Sequence, residues 1–371
     1  MFSDVNIIEE YFQEEIDLET ICEKLKEMLL PQNLPKLFTV LLLIDILLIS
    51  LVVQIRRENR TIHIAINIDD KYFYPCLVFL TSLLDNRENS TYYRIYILKG
   101  NSINKIHYNK IDKLVKKFGK RHININYYDL ENEFKGATSG THISIADYYR
   151  IALPSLLPNL DKIIYIDTDV INLKDLTEMN SIELRDDVYF MGTLDNIGLL
   201  DELRHIKNLT RYMNAGVLIM NLKSLRKYGI EEKIRRYVSS HFLNHHDQTA
   251  INSVCYNNFG ILSIKYSTFS FNTFQELFEF NEKQDKLYRY SLTELQQAFY
   301  DPTLLHFVGW VKPWHKNCPN NKKKYWWYYA KKSGFFKEIL RYYQFKKKDI
   351  IKLLKKIPED GGLLRKNYQK L

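Results

Sequence analysis

Asp167 and Asp169 stand one residue apart at the end of the apolar run Ile163-Ile164-Tyr165-Ile166. On an extended chain, side chains at i and i+2 project to the same side, so the two carboxylates can share one cation. A short apolar, β-prone run reads as a buried strand of a parallel sheet. The C-terminal ends of such strands are where α/β sheets take ligands. Far downstream lies His306-Phe307-Val308-Gly309-Trp310-Val311-Lys312-Pro313-Trp314. Two hard oxygens, the His306 imidazole and the cationic Lys312 suit a divalent metal that bridges a diphosphate. An Asp-x-Asp pair by itself is also a common surface feature.

Four shorter blocks carry further polar chemistry. Asn67-Ile68-Asp69-Asp70-Lys71-Tyr72 follows a strand-like run. There Asp69 can accept from a uracil or a ribose and Tyr72 can stack on a base; the same residues also suit a plain turn. In His142-Ile143-Ser144-Ile145-Ala146-Asp147-Tyr148-Tyr149-Arg150 the guanidinium can face a phosphate, a sugar hydroxyl or a structural carboxylate. Asn214-Ala215-Gly216-Val217 sets an amide and two small residues at a strand start, where a ligand can approach the backbone closely. His246-Asp247-Gln248 places a carboxylate and an amide at a helix start, a pairing suited to hydroxyl recognition.

The elements that must position these blocks alternate. Strands are predicted at Thr61–Asn67, Arg94–Leu98, Ile123–Tyr128, Lys162–Ile166, Val188–Gly192 and Val217–Met220. Helical spacing covers Asn101–Phe118, Ser144–Leu153 closed by Pro154, and Leu222–Ser240. Alternating strand and helix predicts an α/β domain with a mostly parallel, mixed sheet covered on both faces.

In this order, the blocks resemble the retaining glycosyltransferases of family 8, which include bacterial lipopolysaccharide and lipooligosaccharide galactosyl- and glucosyltransferases. The resemblance runs over about residues 61–316. Its most specific parts are Asp167-Thr168-Asp169, Asn214-Ala215-Gly216, Asp247-Gln248 and His306…Gly309…Lys312-Pro313-Trp314. It implies a single-domain GT-A (Rossmann-like) fold that uses a UDP-sugar, UDP-galactose or UDP-glucose, with Mn²⁺ or Mg²⁺. Asp167, Asp169 and His306 match the metal ligands, Asp69 and Tyr72 the uridine contacts, and Gly309 and Lys312 the diphosphate contacts. His142, Arg150, Asn214, Ala215, Asp247 and Gln248 fall on the donor-sugar and nucleotide region, and Asp195 matches a position near the acceptor. Lys71 stands where a related enzyme has Asn, which leaves the contact at that position open.

Departing UDP needs its charge neutralised, which a metal and Lys312 supply. The residue typed to lie near the anomeric carbon is Gln248, a poor nucleophile, and this favours front-face delivery of the acceptor. Asp195 or Asp247 as a covalent nucleophile is the other route to retention. Two rival functions share these residues. An aspartyl-phosphate phosphatase also follows an apolar strand with Asp-x-Asp, but its domain opens with that strand, whereas three strands precede it here. A non-catalytic scaffold that binds nucleotide-sugar or lipid would not need the intact metal set.

With 46% hydrophobic and 14% aromatic residues, the 371-residue chain can bury a large core and is not disordered. Its net charge of +9 is uneven. Residues 1–36 carry nine Asp/Glu against three Lys, and residues 321–371 carry sixteen Lys/Arg against four Asp/Glu. The basicity therefore belongs to a tail. Four scattered cysteines without a Cys-x-x-Cys pair indicate neither a zinc site nor a disulfide framework. Three regions follow: an acidic extension (1–60), the catalytic domain (61–316) and a basic aromatic helical tail (317–371).

Leu37–Val53 is apolar at fourteen of seventeen positions. As a helix it would reach about 25 Å, a little short of a bilayer core of about 30 Å. It reads as a membrane anchor or a helix packed on the domain. In the tail, Tyr325-Trp326-Trp327-Tyr328-Tyr329 beside Lys clusters suits an anionic membrane surface, with the rings at headgroup depth. No reader motif supports nucleic acid binding. Basic residues after the apolar segment place the catalytic domain in the cytoplasm; a single-pass protein with a lumenal catalytic domain is the alternative. The acceptor expected is a glycan or glycolipid.

Overall fold

The structure, a computed structural model, describes residues 60–119, 122–134, 145–196, 210–241, 243 and 245–354, with 46 and 48–52. The chain divides into two units, Met1–Thr61 and Ile62–Leu371. In the first, residues 46 and 48–52 are helical, and Leu48, Ile49, Leu51 and Val52 are exposed. The rest of the apolar segment Leu37–Val53 lies outside the described residues. Among those described, no helix is long and apolar enough to cross a membrane.

In the second unit the apolar runs become the inner strands of a seven-stranded sheet. Its members are β1 (Thr61–Ile68), β2 (Tyr92–Lys99), β3 (Ile123–Asp129), β4 (Lys162–Ile166), β6 (Phe190–Leu194), β7 (Met213–Asn221) and β8 (Phe259–Ile261). The order is β3-β2-β1-β4-β7-β6-β8. β1 with β4, β2 with β3, and β6 with β8 pair in parallel, whereas β7 runs antiparallel to both β4 and β6. A smaller sheet, β5-β10-β9, joins β5 (Val170–Asn172), β10 (Leu304–His306) and β9 (Thr268–Phe269).

Period-2 alternation sorts the strand side chains into two layers. Ile62, Ile64, Ile66 and Ile68 of β1 face the same layer as Ile164 and Ile166 of β4, against α1 (Phe73–Asp85) and α2 (Lys105–Phe118). Ala65, Ile163 and Tyr165 face the other layer, against α4 (Ile230–Ser240) and α5 (His246–Cys255). Along β7 the alternation changes phase. Met213 and Ala215 face the same layer as Leu218 and Met220, and the pairing with β6 shifts between Gly192 and Leu194. Such irregularities re-aim side chains, and this one falls at Asn214-Ala215-Gly216.

Three sequence-based expectations change. The helix expected over Leu222–Ser240 is two, α3 (Leu222–Lys227) and α4, because Gly229 adopts φ 61° between them, a left-handed conformation that glycine alone takes at little cost. The helix expected over Ser144–Leu153 is a 3-10 run, Ile145–Ala152, that passes into a short α-helix, Leu153–Leu156. Pro154 sits in its first turn, where a missing N–H forfeits no bond, so it does not close the segment.

The third concerns the tail. It is helical as expected, in α6 (Lys323–Lys332), α7 (Phe336–Tyr342) and α8 (Lys347–Leu354). Its rings are not presented for a bilayer: Tyr325, Trp326, Trp327 and Tyr329 are buried in the core beside α1. Trp327 Nε1 donates to Pro313 O at 3.0 Å, Asn86 Nδ2 donates to Tyr329 OH at 2.7 Å, and Lys332 pairs with Asp85 at 2.7 Å. Lys346, Lys347 and Lys348 remain exposed.

Candidate active site

Asp167 follows β4 directly, and its backbone N–H donates to Gly216 O of neighbouring β7 at 2.7 Å. Asp169 precedes β5, whose first residue, Val170, is in register with His306 at the end of β10. The small sheet thus carries His306 across 137 residues of sequence to Asp169, with Nε2 3.3 Å from Asp169 Oδ1. One ligand atom from each of Asp167, Asp169 and His306 lies within 4.8 Å of the others. Gly216 leaves the space they occupy: a Cβ there would lie 2.3 Å from His306 Cε1 and 2.7 Å from Asp167 Oδ2.

The surroundings fix each ligand differently. Asp167 Oδ1 accepts from Tyr165 OH at 2.8 Å and from Arg150 Nη2 at 3.1 Å. Burial, only partly offset by Arg150, raises its pKa. Asp169 is also buried, yet the Lys312 ammonium and His306 outweigh that burial and hold its carboxyl well below the usual range. Lys312 Nζ binds Asp169 Oδ2 and donates to Phe307 O. Asp169 Oδ1 is buried and faces His306 Nε2. Two carboxylates and one imidazole that converge, beside a strand position kept free of Cβ, fit a divalent cation.

A cavity of about 630 Å³ opens over this group. Of the residues singled out in the sequence, Asp69, Tyr72, Arg150, Asp167, Asp169, Asp195, Asn214, Ala215, Asp247, Gln248, His306, Gly309 and Lys312 all line it. His142 lies outside the described residues, and Lys71 is exposed. At one edge Asp69 Oδ1 accepts from Tyr72 N at 2.9 Å, so the expected turn and the cavity wall are the same feature. Burial, then nearby carboxylates, raises the Tyr72 pKa. Elsewhere on the wall, Gln248 Oε1 accepts from Ala215 N at 2.9 Å and from Asn214 Nδ2 at 3.2 Å, while its Nε2 donates to Asp195 Oδ2 at 3.3 Å. Asn214 Oδ1 in turn accepts from Gly216 N at 3.0 Å.

Arg150 is 3% exposed and organises the acids. It stacks over Tyr165 at 4.1 Å, pairs with Asp167, and lies 3.0 Å from Asp247 Oδ2 through Nε. Nε also donates to Asp147 O at 3.1 Å, and Nη1 donates to Ala215 O. The guanidinium thus faces carboxylates, Asp167 and Asp247. Burial pushes Asp247 up to about 6 against the pull of Arg150, and raises Asp147 well above the carboxylate range. Asp147 had no assigned role in the sequence. Its neighbours Asp247 and Asp167 come from distant segments, and only the helical offset from Arg150 hinted at a shared face.

The family model described as Glycosyl transferase family 8 matches residues 63–318. General stress protein A of Bacillus subtilis (strain 168) is 26% identical over 270 residues, 70% of this chain and 90% of that protein. A lipopolysaccharide 1,2-glucosyltransferase of Escherichia coli is 23% identical over 268 residues, 70% of this chain and 74% of its own. The solved structure of the galactosyltransferase LgtC, in complex with donor and acceptor sugar analogues, superposes with a TM-score of 0.62 at 21% identity, covering 73% of this chain and 96% of that one. The bifunctional glycosyltransferase WbbM in its apo form gives 0.64 at 18% identity over 76% of this chain; the match spans about half of WbbM, 51%. These likenesses show the GT-A fold that the sequence led us to expect.

Proposed function

The chain belongs to glycosyltransferase family 8, and on that premise we propose that it transfers galactose or glucose from a UDP-sugar to a glycan on lipopolysaccharide or another glycolipid, with retention of configuration. The observation that carries the reading is the grouping of Asp167, Asp169 and His306 on one cavity with Gln248, Asn214 and Lys312. Asp167, Asp169 and His306 would hold Mn²⁺ or Mg²⁺, which when bound supplies Lewis-acid neutralisation of the diphosphate leaving group. Lys312 adds a second positive charge for that diphosphate, and Asp69 and Tyr72 take the uridine.

Gln248 is fixed through both ends of its amide, by Ala215 N–H and by Asp195. An amide so held can orient groups at the anomeric carbon but is a poor nucleophile. The acceptor hydroxyl therefore approaches from the face the phosphate leaves, and passes its proton to that phosphate. Asp195 and Asp247 are the covalent alternatives. Asp195 already accepts from Asn214 and Gln248, and Asp247 faces Arg150, and ion-paired or hydrogen-bonded carboxylates are weaker nucleophiles.

The test is a screen of UDP-sugars for Mn²⁺-dependent release of UDP without acceptor, with UDP binding measured alongside. Release from UDP-galactose or UDP-glucose supports the reading. UDP binding without release from any sugar favours a scaffold, and phosphate release from a phosphomonoester without UDP-sugar favours a phosphatase. We place the enzyme at an anionic membrane with its catalytic domain in the cytoplasm, on the basic Lys346–Lys348 surface and the basic residues after Val53. Salt-sensitive flotation with anionic vesicles supports this; protection from external protease in sealed membranes would instead support the lumenal arrangement.

A further inference from the structure

We propose that His246 is a positioning residue for the transfer: its left-handed backbone turns the start of α5 towards the cavity, and its imidazole ties that start to Tyr148, which sets how Gln248 is held. The inference rests on the UDP-sugar reading above. Among the described residues other than glycine, only His246 (φ 46°) and Gln344 (φ 55°) have positive φ. That conformation is strained for a residue with a Cβ, and it persists where the surroundings impose it, above all at functional sites. His246 is the first residue of α5, is 3% exposed, and lines the cavity just before Asp247 and Gln248.

His245, at the N-cap, gives the helix no side-chain cap, so the orientation of the first turn is left to tertiary contacts. Two such contacts come from the 3-10 run Ile145–Ala152. Arg150 Nε lies 3.0 Å from Asp247 Oδ2, and Tyr148 OH is hydrogen-bonded to His246 Nδ1 at 3.2 Å. Tyr148 is itself buried and stacked on Phe134, with 5.9 Å between ring centroids. Burial, then the neighbouring His245, lowers the His246 pKa, so at pH 7 the ring is neutral and can accept from the hydroxyl. Consecutive residues of a helix project about 100° apart. Ties on two neighbouring residues therefore fix the rotation of the turn as well as its place. Gln248 comes next, and its bonds to Ala215 N, Asn214 Nδ2 and Asp195 Oδ2 depend on that rotation.

The experiment uses three variants of the full chain. Tyr148→Phe removes only the hydroxyl, and His246→Gly keeps the left-handed backbone without the ring. His246→Asn keeps that backbone, which Asn tolerates, with a polar atom near the Nδ1 position. Initial rates of UDP release from UDP-galactose and UDP-glucose with Mn²⁺ are measured, with UDP binding by calorimetry and amide exchange over α5. We expect kcat to fall about 10-fold in Tyr148→Phe and in His246→Gly, the loss of one hydrogen bond, while donor KM and UDP affinity stay within about 3-fold. His246→Asn should recover most of the loss, and exchange at the start of α5 should quicken about 10-fold in Tyr148→Phe. Quickened exchange with kcat unchanged would make the tie purely structural and overturn the inference. A loss confined to donor KM, or a His246→Asn variant no more active than His246→Gly, would overturn it too. Failure of the wild type to bind UDP would instead overturn the transferase reading; the tie is then judged by exchange alone, and exchange that Tyr148→Phe leaves unchanged refutes it.

Discussion

Replacing Gly216 with alanine adds one methyl group, and the structure says what it meets. An ideal Cβ would lie 2.3 Å from Cε1 and 2.9 Å from Nε2 of His306, and 2.7 Å from Oδ2 of Asp167. Neither neighbour is the free end of a flexible chain. His306 is buried, with Ser267 Oγ 3.2 Å from its Nδ1, and Asp167 is held by Tyr165 and Arg150. Gly216 cannot retreat either, since its carbonyl accepts from Asp167 N and its N–H donates to Asn214. Overpacking of this kind costs about 1–3 kcal/mol, and here it falls on the proposed metal ligands. Disturbing the groups that orient ligands typically weakens metal binding by about 10–100-fold. The assay is calorimetric titration of Mn²⁺ into wild type and Gly216→Ala, with circular dichroism to verify the fold. Gly260→Ala is the control, because the atoms nearest its Cβ belong to the flexible Met191 side chain. A folded Gly216→Ala that binds Mn²⁺ with wild-type affinity refutes the assignment of the three ligands.

Asp169→Ala should abolish transfer with little loss of fold, and His306→Ala should be partly rescued by high Mn²⁺; Mn²⁺-dependent activity near wild type in Asp169→Ala would remove that residue from the site. Gln248→Ala should lower kcat far more than it raises the donor KM, because a group beside the anomeric carbon acts mainly on the transition state; a change confined to KM would make Gln248 a ground-state contact. His63, with Nδ1 2.8 Å from Tyr96 OH, is pushed down to about 4 by burial and then by Arg94. The neutral ring is the folded form, so its contribution is intact above the ordinary value of 6.5 and is lost as pH falls towards about 4. Melting temperatures of wild type should therefore drop more over that window than those of His63→Gln, and parallel curves would exclude His63 as the source.

The grouping of Asp167, Asp169 and His306 was legible because its signals are local: an apolar strand running into Asp-x-Asp, and a compact polar block around His306. What was not legible depended on contacts between distant segments. The tail shows the difference. A row of Tyr and Trp beside lysines satisfies a membrane interface and a protein core equally well, and only Pro313, Asp85 and Asn86 decide between them. The break at Gly229 was visible as a glycine but not as a left-handed residue, since helical spacing continues on both sides. Asp147 escaped notice because a lone acid three residues before an arginine reads as a surface pair, until Asp247 and Asp167 arrive from elsewhere.

The burial of Trp326 and Trp327 also bears on how this chain is made. Every residue assigned to the cavity lies at or before Lys312, and the shared family stretch ends at 318, yet the layer against α1 closes only when α6 is in place. Asn86 and its partner Tyr329 are 243 residues apart. Because synthesis runs from the N-terminus and large domains fold as units, α1 must wait with its apolar face uncovered until the last helices leave the ribosome. A nascent chain in that state exposes apolar surface through most of its translation. A stop codon placed just after Lys316 would leave the proposed chemistry fully encoded and is expected to yield no folded enzyme, which expression of that truncated chain would check.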